Sequence, residues 1–330
     1  MRPWRLETAI ISGMRRLSVC ILGGSGFIGQ ALCARLVRLG HGVRVVSRRP
    51  LLPPGLAVWP GVELWDGNAY NRSFLRSAVA GQDVVINLVG ILNEAGRDGR
   101  GFERAHVDLT RAVVAACREA HVPRLLHMSA LHASDQGPSH YLRTKAAAER
   151  VVHDGCGEVG WTIFQPSVVF GPQDSFINRF ASLLRMLPFL PLARANARFA
   201  PVHVEDVVSA FVLAMNDPKT IRETYQLCGP EIFTLRELVC YVRDQRGLRR
   251  WIFGIPDWAG RLQAGIMDFV PGKPLSTDNF LSLTVDSVGT HDGFARLDLD
   301  KSSLRTVVPS YLGPEQRAGQ IGRASCRERV

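Results

Sequence analysis

The chain contains no uncharged apolar run approaching the roughly 20 residues that a membrane-spanning helix needs, and its N-terminus has no apolar core followed by a small-residue cleavage site. These two absences exclude a helical membrane span and a secretory signal, and predict a cytoplasmic protein, at most peripheral on the inner face of a membrane. No C-x-x-C pair occurs. The seven cysteines, at positions 20, 33, 117, 156, 228, 240 and 326, are odd in number and far apart, which reads as reduced thiols and not as a disulfide framework. No metal site is expected. A nucleic-acid-binding motif is also missing: the net charge is +10, but the arginines are scattered, so nucleic acid is not an expected partner. The basicity is left to suit an anionic cofactor or an anionic lipid surface.

At 330 residues, the chain has the size of one large α/β domain with an appended lobe, or of two domains. Both ends are set aside. Met14-Arg-Arg-Leu-Ser18 leads directly into the first strand, so Met14 reads as a start and residues 1–13 as an upstream extension. Ile321-Gly-Arg-Ala-Ser-Cys-Arg-Glu-Arg-Val330 reads as a translated sequencing adapter, and its three arginines and one glutamate add to the apparent basicity.

What is present begins at Val19-Cys-Ile-Leu-Gly-Gly-Ser-Gly-Phe-Ile-Gly29, where a short apolar run ends in glycines and passes into a helical pattern. Gly23 allows a tight turn, Gly26 lets backbone approach a diphosphate, and Gly29 lets helix pack on strand. The diphosphate would lie on the free N–H groups of a helix from Phe27 to Leu39, with Phe27 and Ile28 in its first turn. His41 to Ser47 alternates as a second strand, with Gly40 closing the helix before it. Ser47 is followed by Arg48-Arg49, with no acid before Glu63. An NAD site places Asp or Glu there to bind the ribose 2′-hydroxyl, so the two arginines favour the extra phosphate of NADP(H), NAD(H) being the alternative; they also read as a solvated basic loop. Asp66, ending a third strand from Val62, could face the adenine amino group or simply make a turn.

Asp83 to Gly90 is nearly all apolar, as a central parallel strand covered on both faces should be, and its end, Leu88-Val89-Gly90, should pass close to the cofactor. A helix is predicted from Phe102 to Ala120, then a fifth strand from Arg124 ending in Ser129. Tyr141-Leu-Arg-Thr-Lys145 opens a further helix. Residues four apart share a helix face, so the Lys145 ammonium could stabilise a Tyr141 phenolate and lower its pKa. Any Y-x-x-x-K is weak alone; its order after the glycine turn and a strand ending in serine gives it meaning.

The glycine turn, Tyr141/Lys145, Gln165-Pro-Ser-Val-Val-Phe-Gly-Pro172 and Val202-His-Val-Glu-Asp-Val207 together resemble the extended short-chain dehydrogenase/reductase family over most of residues 15–300. Within that family, Tyr141-Leu-Arg-Thr-Lys-Ala146, Ser175 to Ser182 and Pro201 to Val207 look most like the accessory-subunit type of respiratory complex I and its bacterial relatives. The resemblance implies a doubly wound, parallel-sheet Rossmann fold with a smaller C-terminal lobe: core 14–172 with 200–228 returning to it, lobe 173–199 and 229–312. It implies Tyr141 as acid/base, Lys145 on the nicotinamide ribose, Ser129 polarising a carbonyl, and Pro166 and Ser167 beside the nicotinamide. Ser129-Ala-Leu-His-Ala-Ser134 departs from the serine-rich pattern of sugar-modifying members, which leaves Ser134 as an alternative to Ser129. His203 and Asp206 are expected to brace core against lobe, and Thr234-Leu-Arg-Glu237 to form a capping box. The segments 176–192 and 251–269 mix apolar residues with arginines and suit membrane or partner docking, or else bury those faces over the cofactor cleft. Two functional expectations follow. One is an NADP(H)-binding protein whose nucleotide serves a respiratory or quinone-linked membrane complex; the other is a reductase, epimerase or dehydratase working through Tyr141 and Lys145.

Overall fold

The computed structural model describes residues 15–48, 51–271 and 273–313. Seven strands form one all-parallel sheet: β1 (Ser18–Leu22), β2 (Gly42–Ser47), β3 (Val62–Asp66), β4 (Val84–Asn87), β5 (Arg124–Met128), β6 (Gly160–Pro166) and, arriving from much further along the chain, Glu223–Leu227 beside β6. The spatial order runs from Glu223–Leu227 through β6, β5, β4, β1 and β2 to β3, so the chain reverses direction across the sheet between β1 and β4. That reversal opens a crevice at the strands' C-terminal ends.

Alternation within β1 assigns its side chains to two cores. Val19 and Ile21 join one apolar cluster with Leu32, Leu36, Val45 and Phe211; Cys20 and Leu22 join another with Leu75, Val113, Leu125 and Val152. Both faces are therefore covered, the arrangement an all-parallel sheet requires. The first layer contains helices α1 (Phe27–Arg38) and Val204–Asn216, and the second contains Arg72–Val79, Leu109–Glu119 and α2 (His140–Gly155). Helix α1 stops one residue short of the predicted Leu39, and Gly40 follows it at φ +82°, a left-handed position that glycine occupies without strain.

The helix expected from Phe102 is not regular. It starts at Arg100, widens into a π-helical stretch over Glu103–Asp108 and becomes α-helical at Leu109. The widened turn carries His106, whose ring is engaged on both nitrogens as described below.

The second lobe has its own apolar cluster, built on Phe170, Ile177, Leu184, Phe199, Leu238, Val242 and Leu312 among others. Helix α3 (Ile177–Met186) packs on α4 (Leu235–Gln245), and strand Phe189–Ala193 pairs in parallel with Trp251–Ile255. The capping box read at Thr234/Glu237 is formed. Helices α5 (Asp257–Met267) and α6 (Thr277–Ser282) follow. A polar tie holds the lobe to the helix Val204–Asn216 of the core: Asp206 accepts from the Ser302 N–H at 2.7 Å and its hydroxyl at 2.8 Å, the bracing role expected of it. His203 lies beside the Phe170 ring.

Candidate functional site

The glycine turn is tight enough to exclude side chains. A Cβ on Gly29 would stand 2.3 Å from the Gly23 carbonyl oxygen and 2.6 Å from the Gly24 Cα, distances no real Cβ shows. Gly23 has φ +83°, and its carbonyl accepts the Gly26 N–H at 3.0 Å. Helix α1 opens with no side-chain cap and no acid in its first turn. Its leading N–H groups therefore lack the partner a Ser or Asp cap would supply, and the positive end of the helix dipole is not offset by a carboxylate. This cradle fits a diphosphate. Phe27 and Ile28 lie in the first turn, and Leu88 N–H bonds the Leu22 carbonyl at 2.9 Å, which brings the end of β4 beside the turn: a Cβ on Gly23 would meet Leu88 and Val89 backbone at 3.2 Å.

Further out, Arg48 lies exposed just past β2, and Asp66 is exposed at the end of β3, its register partner being Ser47. Arg49 lies outside the described residues.

The opposite wall is made of buried polar groups. Lys145 is only 4 % exposed and donates to the Met128 carbonyl at 3.1 Å; burial lowers its pKa from 10.5 to about 8, the nearby Glu149 opposing this. Its ammonium reaches towards Gly90, where a Cβ would lie 3.1 Å from Nζ. Tyr141 sits edge-on to His106, with ring centroids 5.5 Å apart, and its hydroxyl has no hydrogen-bond partner among the described residues. Burial pushes that phenol up to about 12, and the Asp278 carboxylate adds to the effect. This is opposite to the lowering predicted from the Tyr-Lys spacing. In the protein alone desolvation outweighs any help from Lys145, because removing a phenolate from water costs more than one cation on the same helix returns.

Ser129 and Ser134 separate cleanly. Ser129 is buried directly after β5 and donates its hydroxyl hydrogen to Glu149, a carboxylate that also accepts from Gln165 Nε2 at 2.8 and 3.0 Å. Ser134 is exposed on an outer turn, where its oxygen accepts the Gln136 N–H at 3.3 Å. Pro166 ends β6. Ser167 is buried and donates to the Ser287 carbonyl at 2.7 Å. The structure thus brings Ser129, Tyr141, Lys145, Gly90, Pro166 and Ser167 to the strand ends around one crevice, and leaves Ser134 outside it.

Sequence reasoning missed the residues that organise this wall. His106 Nε2 accepts the Ile91 N–H at 3.1 Å, so its proton lies on Nδ1, which donates to Thr144 Oγ1 at 2.9 Å; the Thr144 hydroxyl passes its own hydrogen to the His140 carbonyl at 2.8 Å. Asn87 bonds Thr110 Oγ1 at 3.2 Å and His127 Nδ1 at 3.3 Å. Desolvation is the main cause holding His106 at about 2 and His127 at about 3, with the Lys145 charge adding to both. Asp278 of α6 accepts the His140 N–H at 2.6 Å and the Tyr141 N–H at 3.1 Å, so a lobe carboxylate caps the helix bearing Tyr141. Glu149 was within reach of inspection, four residues beyond Lys145 as Lys145 is four beyond Tyr141. Nothing local in the sequence singles out Asp278.

A glycine turn after the first strand of a doubly wound sheet, faced by a Tyr-Lys helix following the fifth, defines a Rossmann-type protein of the extended short-chain dehydrogenase/reductase class. The comparison with protein families agrees. The chain belongs to the NAD dependent epimerase/dehydratase family, whose model matches residues 19–228, and membership implies binding of a nicotinamide dinucleotide. It is 29 % identical to the mitochondrial NADH dehydrogenase [ubiquinone] 1 alpha subcomplex subunit 9 of Arabidopsis thaliana, over 97 % of this chain and 83 % of that protein. It is 30 % identical to the ceramide reductase of Caulobacter vibrioides, over 76 % of each. Among solved structures, MoeE5 in complex with UDP-glucose and NAD superposes with a TM-score of 0.71 at 20 % identity, covering 89 % of this chain and 97 % of that one, a likeness of fold. The family and fold expected from the sequence are both borne out.

Proposed function

We propose that the chain is an NADP(H)-binding protein of the complex I accessory-subunit type, in which the nucleotide is mainly structural or regulatory for a respiratory or quinone-linked membrane complex. The observation that carries this reading is the saturation of the chemical wall. Ser129 spends its hydroxyl hydrogen on Glu149 and the Tyr141 phenol is raised to about 12, so the group that would polarise a carbonyl already serves the fold and the one that would exchange a proton is held against ionisation, while Lys145 keeps ammonium hydrogens beyond the one on Met128. The similarity to a complex I subunit over nearly the whole chain supports it.

In this reading Gly23, Gly26 and Gly29 with the first turn of α1 hold the diphosphate, and Asp66 takes the adenine edge. Arg48 and Arg49 take the 2′-phosphate. Leu88, Val89, Gly90, Pro166 and Ser167 line the nicotinamide end, and Lys145 holds its ribose. Once bound, the nicotinamide supplies hydride-transfer chemistry. Affinity and release rate for NADPH and NADH, measured on the chain and on Arg48→Ser, test it. Tight NADPH binding with slow release, weakened at least tenfold by the substitution while NADH changes little, is the expected result. Preference for NADH would overturn the phosphate assignment.

A second reading, a reductase, epimerase or dehydratase acting on a sugar nucleotide or another carbonyl or alcohol, is favoured by the uncommitted Tyr141 hydroxyl and by the similarity to a ceramide reductase. Rapid nucleotide exchange together with turnover that Tyr141→Phe abolishes would replace the first reading with this one.

A further inference from the structure

Helix α5 is amphipathic in the inverted sense. The side that packs inward carries Gly260 and Ala264, and a Cβ on Gly260 would lie 2.8 Å from the Phe280 ring and 2.9 Å from Ala193, so the helix seats closely through its smallest residues. Its bulky apolar residues point the other way. Trp258, Leu262 and Ile266, spaced by four, form one outward stripe that runs on to Phe269. On the neighbouring strand pair, Phe189 and its register partner Trp251 are likewise outward. These six side chains are between 56 % and 81 % exposed, so the expectation that the lobe buries such faces over the cleft fails for this segment. Scattered exposed apolar residues are ordinary on a protein surface; a helical stripe ending in aromatics is not.

Charge indicates what covers it. The acids of this region are already engaged: Asp257 pairs with Arg194 at 2.9 Å, and Asp268 accepts from the Thr277 hydroxyl at 2.7 Å with Arg97 at 3.7 Å. Arg249 and Arg261 are exposed and have no carboxylate partner among the described residues. The face is therefore apolar and net positive. Tryptophans are favoured at headgroup depth, arginine stems lie along apolar surface while their heads stay in water, and a helix of this pattern lies in the plane of the interface.

We propose that α5 and the Phe189/Trp251 strand pair form a lipid-docking face that seats the protein on an anionic bilayer surface. This deepens the membrane-complex reading, and it is read out separately from nucleotide binding. Full-length protein with NADPH is sedimented with vesicles of phosphatidylcholine alone and of phosphatidylcholine with about 30 % phosphatidylglycerol, the anionic fraction attracting basic groups. Binding to the anionic vesicles at least tenfold stronger than to the neutral ones is expected. Leu262→Glu/Ile266→Glu should reduce it tenfold or more, and Arg249→Glu/Arg261→Glu should remove the preference for anionic lipid. Brominated lipid should quench tryptophan emission, and Trp251→Phe/Trp258→Phe should abolish that quenching. Unchanged NADPH affinity in the variants shows that they are folded. The proposal is overturned by equal binding to both vesicles, by binding that survives Leu262→Glu/Ile266→Glu, or by a stable dimer in vesicle-free solution that the same substitutions dissociate, since a second copy would then be the occupant. Slow nucleotide release without vesicle binding would sink the docking face alone; vesicle binding with fast release and turnover would sink the structural-nucleotide reading alone.

Discussion

The two walls of the crevice are built by opposite means. On the β1 side, shape comes from missing side chains: Gly29 leaves no room for a Cβ, and the first turn of α1 keeps its N–H groups free of side-chain caps. On the β5 side, shape comes from polar side chains that largely satisfy one another, His106 between Ile91 and Thr144, Asn87 against Thr110 and His127, Glu149 between Ser129 and Gln165, with His127 Nε2 left buried and without a partner among the described residues. A wall made by exclusion is intolerant of added atoms. A wall made by mutual saturation is intolerant of lost ones, and it responds to pH.

Gly29→Ala breaks the first wall and should have the largest effect. With the new Cβ 2.3 Å from a carbonyl oxygen, the strand-helix packing must shift, a cost of about 3 kcal/mol in stability along with loss of nucleotide affinity by two orders of magnitude or more; thermal melts and nucleotide titration read both. His106→Leu tests the second wall. It strands the Ile91 N–H and leaves the Thr144 hydroxyl oxygen without its donor, costing about 2 kcal/mol, seen in denaturant unfolding. The acid limb of stability sharpens the point. His106 and His127 have folded pKa values of about 2 and about 3, below the unfolded 6.5, so the unfolded chain takes up protons that the native one refuses. Stability is then undiminished above about pH 6.5 and falls as the pH drops below it, by roughly 1.4 kcal/mol per pH unit for each histidine. His106→Leu should remove about half of that slope. Glu149 and Asp174, whose pKa values are raised mainly by burial, act with the opposite sign nearer the carboxylate range. The smallest effects separate the two serines. Ser129→Ala deprives a half-buried carboxylate of one donor, worth about 1–2 kcal/mol, whereas Ser134→Ala should change stability by less than about 0.5 kcal/mol; equal effects would contradict the assignment of Ser129 to the crevice.

The same contrast explains what could be read beforehand. Exclusion leaves a local signature, since glycines at fixed spacing between an apolar run and a helical pattern have few other uses, and the parallel sheet followed from short, uninterrupted apolar strands. Tyr141 and Lys145 were legible because four-residue spacing defines a helix face. Saturation has no such signature. His106 and Thr144 are 38 residues apart and Asn87 and His127 are 40 apart, and each is an ordinary polar residue until the sheet assembles. The pKa of Tyr141 was misjudged for the same reason: its neighbours in space, with Asp278 of the lobe among them, outweigh its neighbour on the helix. The lobe was harder still, because an apolar segment rich in arginine describes equally a buried strut and an outward face, and only the packing of Gly260 and Ala264 decides between them.

Asp278 ties two amides in the opening turn of α2 to a segment that lies more than 130 residues away in the chain, at separations of 138 and 137 residues. During synthesis Ser139 can cap that turn at once through the Leu142 N–H, whereas the His140 and Tyr141 amides gain their partner only after Asp278 has emerged. In native-state hydrogen exchange the His140 and Tyr141 amides should accordingly open together with the lobe, while the amides of the preceding strand β5 open only with the sheet.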